Sequence, residues 1–504
     1  MRHYDDLTHQ TKMLSFISAV IILILGFVLY SRYVEKVVGV DPKRTTIAYT
    51  KNDGVDFIPM PTWKVFLIQF LNIAGTGPIF GSILGVLYGP SSYLWIILGC
   101  VFGGAVHDYI SGMMSIRSEG RGLAELIGDQ LGAVTRQFMR AFTLVLMVFV
   151  GAVFVTSPAG LLASLIGPGD GSLLDSATFW STIIFVYYIL ATLMPIDKVI
   201  GRIYPIFGAA LLIMAVGLFI GIFSQEGNLP DLSTAFHNHN PNPKAMNLFP
   251  GLFITIACGA VSGFHATQSP MMARCMKNEK YGRPVFYGAM IVEGLVALIW
   301  AAATYKFADS LAVEGNTPYE KLLNVITGNG AHTANPAILV NMICQTWMGK
   351  VGAFLAVLGV VAAPITSGDT AFRCGRLIAS DFLHYKQDKI YKRLLLALPL
   401  FVVAFILMQV DFSVLWQYFG WTNQTLSVFT FWCASVWLAR KRKNFLITLI
   451  PALWMTTVCT TYILYARIGF NLSYTDSWIC GCSMSAALLI PFLYWRRSHL
   501  KKMV

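Results

Sequence analysis

Apolar runs long enough to cross a bilayer recur along this chain, and they constrain its fold more than any motif does. They fall at residues 13–30, 63–89, 92–116, 137–166, 177–195, 202–223, 248–273, 284–306, 351–381, 393–410, 412–439, 445–467 and 475–495. A helix rises about 1.5 Å per residue, so about 20 apolar residues cross a hydrocarbon core of about 30 Å. Backbone N–H and C=O groups find no water there, which leaves helices and closed barrels as the spanning structures, and continuous runs of this length select helices. The chain is therefore expected to be an all-α polytopic membrane protein with about thirteen transmembrane helices. Of its 504 residues 56% are hydrophobic and 12% charged.

The formal charge of +12 raises the question of nucleic acid, and its placement answers it. With the N-terminus outside, the segments falling inside are 31–64, 117–140, 198–202, 274–283, 373–393, 440–443 and 496–502. They hold 30 of the 37 Lys and Arg residues. Basic residues concentrate on the cytoplasmic side of membrane proteins, so the expected topology is N-out, C-in, in a bacterial cytoplasmic membrane. The partner implied by this charge is the anionic bilayer surface, not nucleic acid. The run at 13–30 has no small-residue cleavage site after it and reads as a retained span.

Little else suggests soluble chemistry. The nine cysteines are scattered, and Cys480-Gly-Cys482 has neither zinc-ligand nor thioredoxin spacing. His237 and His239 lie in the polar loop 224–247 without carboxylate or thiol partners nearby in sequence. No cofactor, metal site or enzymatic activity is expected. The chain has no Walker A phosphate loop, which argues against ATP-driven pumping by this chain alone. Residues 307–350 form the longest external connection, with room for helical turns of their own.

Two of the spans cannot stay helical. The first contains Phe70-Leu-Asn-Ile-Ala-Gly-Thr-Gly-Pro-Ile-Phe-Gly-Ser82. Pro78 lacks an N–H and crowds the carbonyl of Ala74, while Gly75 and Gly77 permit non-helical backbone. The second, 248–273, contains Gly259, Gly263 and Pro270 with Ser262, His265, Thr267 and Gln268 close by. A kink used for packing would explain either one alone. Together they lie five spans apart and run in opposite directions, the pattern of inverted five-helix repeats whose broken helices line a midplane site. The boundaries that follow are an extra N-terminal helix at 13–30, repeats at 63–223 and 248–439, and two C-terminal helices at 445–495.

The stretches Ile73-Ala-Gly-Thr-Gly-Pro-Ile79, Gly104-Ala-Val-His-Asp108 and Phe253-Ile-Thr-Ile-Ala-Cys-Gly-Ala-Val-Ser-Gly-Phe-His-Ala-Thr-Gln-Ser-Pro270 resemble the carbon starvation protein A family. The resemblance runs from about residue 25 to beyond 380. It implies a leucine-transporter-like fold and an inner-membrane transporter of pyruvate or peptides. The chain is shorter than the long family members; Ile68-Gln69 stand where they have a His pair, and His107 where they tend to have Gln.

Half-helix N-termini attract carboxylates. Candidate substrate ligands are therefore Gly75, Thr76 and Gly77 at the first break and Ser262, Gly263, Phe264, His265 and Gln268 at the second. His265 equally suits a packing role. Intramembrane acids are functional candidates by default, which singles out Asp108, Glu293 and Asp369. Neighbouring residues on a helix point about 100° apart, so His107 and Asp108 are not expected to pair, and Glu293 reads as a lone carboxylate. Under the resemblance, Thr366 and Ser367 face the first break, where freed carbonyls at 74–77 would complete a cation site with Asp369 adding charge. Hydroxyls in membrane helices also bond back to their own backbone. Arg373, four residues on, favours an ionised Asp369, leaving Asp108 or Glu293 for a coupling proton. Gln417, Asn423 and Gln424 are weaker candidates, as gate or helix contacts. The expected function is import of a small organic acid such as pyruvate by proton or sodium symport, linked through the resemblance to carbon starvation. The alternatives are peptide transport or a nutrient sensor; a channel suits two interrupted helices less well.

Overall fold

Pro78 fits a helix best in its first turn, where a missing N–H costs nothing. The computed structural model places it there. The structure describes residues 2–54, 56–167, 169–193, 196–243, 247–330 and 334–501, and the side chains of 2–12, 165, 196–204, 362 and 500–501 are outside that description. After α1 (Arg2–Leu25), which continues through a π-helical turn into Ser31–Val38, the first interrupted span consists of α2 (Thr62–Ile73) and α3 (Thr76–Val86). Their axes bend by 44° at Ala74 and Gly75, and Pro78 is the third residue of α3.

The helix Ser91–Leu98 then passes through a π-helical stretch, Gly99–Gly104, into α4 (Ala105–Arg117). Three helices follow: α5 (Ala133–Ile166), the shorter α6 (Ala177–Leu193) and α7 (Ile196–Ser224). The second interrupted span consists of α8 (Leu248–Thr255) and α9 (His265–Ala273), with residues 256–264 between them free of regular helix. Its glycines lie in that stretch, as the sequence suggests. Pro270 does not: it sits inside α9, so the glycines, and not the proline, accompany this interruption. Next come α10 (Gly288–Asp309), α11 (Ala362–Leu383), α12 (Ile390–Leu407), α13 (Phe412–Arg440), α14 (Leu446–Tyr465) and α15 (Tyr474–Lys501). The connection before α11 carries Pro318–Thr327 and Ala337–Ala356, the latter bent at Gly349, whose φ is +58°.

Each apolar run thus carries helix, and the described chain is all-helical. Among the described residues, nine helices are long and apolar enough to cross a membrane by themselves, ten with α2 and α3 as one span. α6 is shorter, α8 and α9 are half-spans, and α13 is rich in polar residues, so these fall outside the nine. The expected thirteen spans are therefore not all of one kind. The interval 63–223 opens on α2 and α3, and 248–439 on α8 and α9. α11 packs along α5, α9 beside α4, and α10 beside α3.

The helices approach closely where glycine allows it. A Cβ on Gly77 would lie 2.4 Å from the sulfur of Cys258, and one on Gly104 would lie 2.3 Å from the carbonyl oxygen of Ala260. The unwound stretch of the second span is therefore wedged between α3 and the π-helical approach to α4. Both interruptions share one buried centre.

At the end of the bundle where α4 finishes, Glu279 is fully buried and paired with Arg117, with Arg44 at 3.2 Å. It also accepts the N–H of Asp41 at 3.3 Å. Thr46 Oγ1 donates to the Met276 carbonyl (2.5 Å), and Asn278 Nδ2 to the Pro42 carbonyl (2.8 Å). These bonds fasten the segment after α1 onto the link between α9 and α10. At the other end lies a cavity of about 320 Å³ lined by Tyr88, Thr255, Trp416, Gln417, Tyr462 and Arg467. Removing one partner of a buried ion cluster typically costs about 3–5 kcal/mol, and an exposed pair less than about 1 kcal/mol. Glu279→Ala is therefore expected to lower the melting temperature of the detergent-purified protein clearly. Lys51→Ala, which loses only the exposed 2.6 Å pair with Glu119, should leave it nearly unchanged; equal shifts would contradict this account of the buried cluster.

Candidate functional site

A helix interruption in a membrane frees backbone groups that must find partners. At the first break, α2 ends with the N–H of Gly75 turned back to the Ile73 carbonyl at 2.9 Å. The Leu71 carbonyl accepts instead from Ser367 Oγ of α11, at 3.1 Å. A Cβ on Gly75 would lie 3.2 Å from that same hydroxyl. Ser367 therefore meets the first break as expected, but at Leu71, upstream of residues 74–77. Thr366 Oγ1 donates back to the Ala363 carbonyl of its own helix at 2.6 Å. Thr76 at the start of α3 lies with its hydroxyl 3.4 Å from Ser157 Oγ of α5.

Asp369 makes no hydrogen bond to this group. Two residues past Ser367 it is turned about 200° around α11, within electrostatic reach of Tyr187 and Tyr188 of α6. Arg373 does not hydrogen-bond it either: both Asp369 oxygens are buried without a hydrogen-bond partner among the described residues. Arg373 donates to the Ala191 carbonyl at 3.0 Å and lies 3.9 Å from Asp56. Helical periodicity turns Asp369 away from Ser367 and keeps it on the face of Thr366, three residues earlier.

The second break is organised by Asn423 of α13, which sequence reasoning ranked low. Asn423 Oδ1 accepts the N–H of Phe264 at 2.6 Å and the hydroxyl of Ser262 at 3.1 Å. The Asn423 carbonyl accepts the N–H of Gly263 at 3.2 Å. The Phe264 N–H, expected to hold a substrate carboxylate, is thus occupied within the protein. Trp95 Nε1 donates to the Ile256 carbonyl and Gln424 Nε2 to that of Phe253, each at 2.9 Å. Gln417 is elsewhere, at the cavity described above, bonded to the Ser413 carbonyl of its own helix at 3.3 Å.

His265, the first residue of α9, leads into a buried chain of titratable groups. His107 Nδ1 and Asp108 Oδ1 are 2.8 Å apart, His265 Nδ1 and Asp108 Oδ2 3.0 Å, and His265 Nε2 and Glu293 Oε2 3.6 Å. All four side chains are fully buried. His107 and Asp108 therefore do pair, against expectation. The 100° between neighbours separates their Cβ atoms, yet each side chain is long enough to lean around the helix toward the other. Nor is Glu293 solitary, since α10 brings it to the second break.

Further buried polar side chains lie on α2 and α9: Gln69 and Asn72 on α2, and Thr267, Gln268 and Ser269 on α9. Gln69 Nε2 donates to Ser269 Oγ at 3.3 Å, and Gln268 Nε2 to Thr267 Oγ1 at 2.9 Å. Among the described residues, Gln69 Oε1, Gln268 Oε1 and both side-chain polar atoms of Asn72 have no partner. Asn72 stands one residue before the apolar Ile73 that precedes the break, and that position was its only sequence signal. Elsewhere, His239 is taken up by the Thr234 carbonyl at 3.3 Å and the Tyr319 ring at 5.0 Å. All nine cysteines are free thiols.

Interrupted helices wedged together inside an apolar all-helical bundle define a multi-pass membrane protein of the leucine-transporter-like class. Comparison with known proteins supports that fold: a Na⁺-coupled sialic acid symporter, solved substrate-bound and outward-open, superposes with a TM-score of 0.51 at 16% identity, over 94% of this chain and 95% of that one. The chain belongs to the carbon starvation protein CstA family, whose profile matches residues 11–168, 168–336 and 321–462. It is an inner-membrane protein by that membership and its repeated apolar helices. An uncharacterized membrane protein of Haemophilus influenzae is 45% identical over 59% of this chain and 92% of its own length. The peptide transporter CstA of Bacillus subtilis is 26% identical over 90% of this chain and 91% of its own. The pyruvate/proton symporter BtsT of Escherichia coli K12 is 28% identical over 62% of this chain, a match spanning about half (51%) of that relative.

Leaving a buried N–H or hydroxyl unpaired costs about 1–3 kcal/mol each. Asn423→Leu orphans the Phe264 N–H and the Ser262 hydroxyl together. It is expected to lower the thermal midpoint in detergent well beyond Gln417→Leu, a change on the same helix that removes one bond beside a cavity. Equal midpoints for the two variants would show that Asn423 does not hold the second break.

Proposed function

We propose that this chain is a secondary transporter that carries a small carboxylate-bearing solute, pyruvate first among the candidates, driven by a cation gradient. The observation that carries this reading is the set of buried amide atoms on α2 and α9 that lack partners among the described residues: Gln69 Oε1, Gln268 Oε1 and both side-chain polar atoms of Asn72. Buried amides nearly always find partners, and a group left open beside interrupted helices marks where a solute supplies the missing bonds. Asn72 Nδ2 is a donor suited to a carboxylate oxygen, with the Thr76 and Gly77 N–H groups opening α3 a few residues on. Ser367 and the Leu71 carbonyl offer hard oxygens to a cation at the first break. The names of the relatives favour transport: one is a pyruvate/proton symporter, another a peptide transporter matched over nearly the whole chain. Peptide transport is the second reading for that reason. No enzymatic step is part of the proposal.

Purified protein in liposomes is expected to accumulate labelled pyruvate under an imposed proton or sodium gradient, and the gradient that drives uptake identifies the coupling ion. Unlabelled lactate, alanine, dipeptides and tripeptides added as competitors rank the substrates; accumulation of dipeptide but not pyruvate would select the second reading. A hydrogen bond to a charged group is worth about 1.5–3 kcal/mol, so Asn72→Ala should raise KM by about tenfold or more. Binding without uptake under either gradient would overturn transport in favour of a sensor.

A further inference from the structure

We propose that Cys258, His265 and Glu293 form a three-ligand site for a divalent transition-metal ion, independent of what the chain transports. One ligand atom from each lies within 4.8 Å of the others, and all three residues are buried. The spacing of His265 Nε2 and Glu293 Oε2, 3.6 Å, is too long for a hydrogen bond. It matches the edge of a tetrahedron around a metal whose ligand bonds are about 2.0–2.3 Å. The sulfur completes that polyhedron after a contraction of about 1 Å.

Three further observations point to a cation there. First, the two Glu293 oxygens and His265 Nε2 have no hydrogen-bond partner among the described residues. Second, two carboxylates, Asp108 and Glu293, are fully buried, and their only ion-pair partners among the described residues are histidines. Buried charge is tolerated when paired or when it coordinates metal. Third, Asp108 holds Nδ1 of His265 at 3.0 Å. That is how a carboxylate fixes a metal-binding imidazole, leaving the Nε2 lone pair for the ion.

The sulfur is prepared as well. Asn423 Nδ2 donates to Cys258 Sγ at 3.7 Å, and Gly77 leaves the room that any Cβ would take from it. Sulfur, nitrogen and oxygen together suit zinc and its neighbours in the first transition row more than magnesium or calcium. Three protein ligands leave a fourth position open.

The test is a cobalt(II) titration of the full-length, chelator-treated protein in detergent. Cys480 and Cys482, the two cysteines that are not buried, are first replaced by serine, so that any thiolate signal comes from the interior. The proposal expects one equivalent to bind with intense visible bands of a four-coordinate ion and a near-ultraviolet sulfur-to-cobalt charge-transfer band, all displaced by zinc. Cys258→Ser should abolish the charge-transfer band. Glu293→Gln should weaken cobalt binding by more than tenfold. Asp108→Asn, a change at a positioning residue, should weaken it about 10–100-fold while keeping the band. Size-exclusion elution and melting check that each variant is folded. No charge-transfer band in the parent protein, or a band that survives Cys258→Ser, would overturn the site, and the parent spectrum decides this even where a variant fails to fold. Since no transport is measured, failure here leaves the transport proposal standing, and the reverse also holds.

Discussion

A backbone amide or carbonyl exposed to hydrocarbon without a partner costs several kcal/mol, and the centre of this protein is arranged around that penalty. Two spans are interrupted, and the groups they release are taken up by side chains from other helices. Ser367 reaches the Leu71 carbonyl, Trp95 the Ile256 carbonyl and Gln424 the Phe253 carbonyl. Asn423 alone holds the amides of Phe264 and Gly263 through its side chain and its backbone. The polar residues that keep α13 from reading as an ordinary span are the ones that make the second interruption affordable. Structure and site are here the same set of bonds.

The packing that surrounds those bonds is correspondingly tight. Gly77 against Cys258 and Gly104 against the Ala260 carbonyl bring the two interruptions within contact of each other. A side chain larger than glycine at either position would displace the unwound stretch of the second span. The buried row from His107 through Asp108 and His265 to Glu293 crosses this same junction, joining α4, α9 and α10.

Both ends of the bundle carry a cavity, and at the end of Glu279 one of about 460 Å³ is lined by Glu119, Arg121, Arg140, Arg274 and Asp381. That end is fastened by Glu279 with Arg117 and Arg44, recruiting the segment that follows α1 to the link between α9 and α10. The other keeps a cavity of about 320 Å³ reaching down to Thr255, close to where α8 gives way. The segment ahead of the first repeat is thus tied to the link between α9 and α10.

The sequence by itself determined the all-helical membrane fold and the two interruptions, because each rests on local chemistry, and its motifs carried the resemblance to the family. Continuous apolar runs exclude unsatisfied backbone, and Gly-Thr-Gly-Pro removes a backbone donor and lowers the cost of leaving the helix just before it. It also yielded the list of intramembrane acids, since rarity marks them. What it left undecided was which of those groups meet. Asn423 and Asn72 look like ordinary polar residues in a row of letters, and their importance comes from helices far away in the chain. His107 and Asp108 pair because flexible side chains override the angular spacing of their Cβ atoms, whereas Asp369 leaves Ser367 because that same spacing holds along α11. Glu293 joins His265 only when α10 packs across the second break. Contacts between distant segments depend on the relative placement of whole helices, which is set by the sum of many packing interactions, and so the tertiary structure alone decided them.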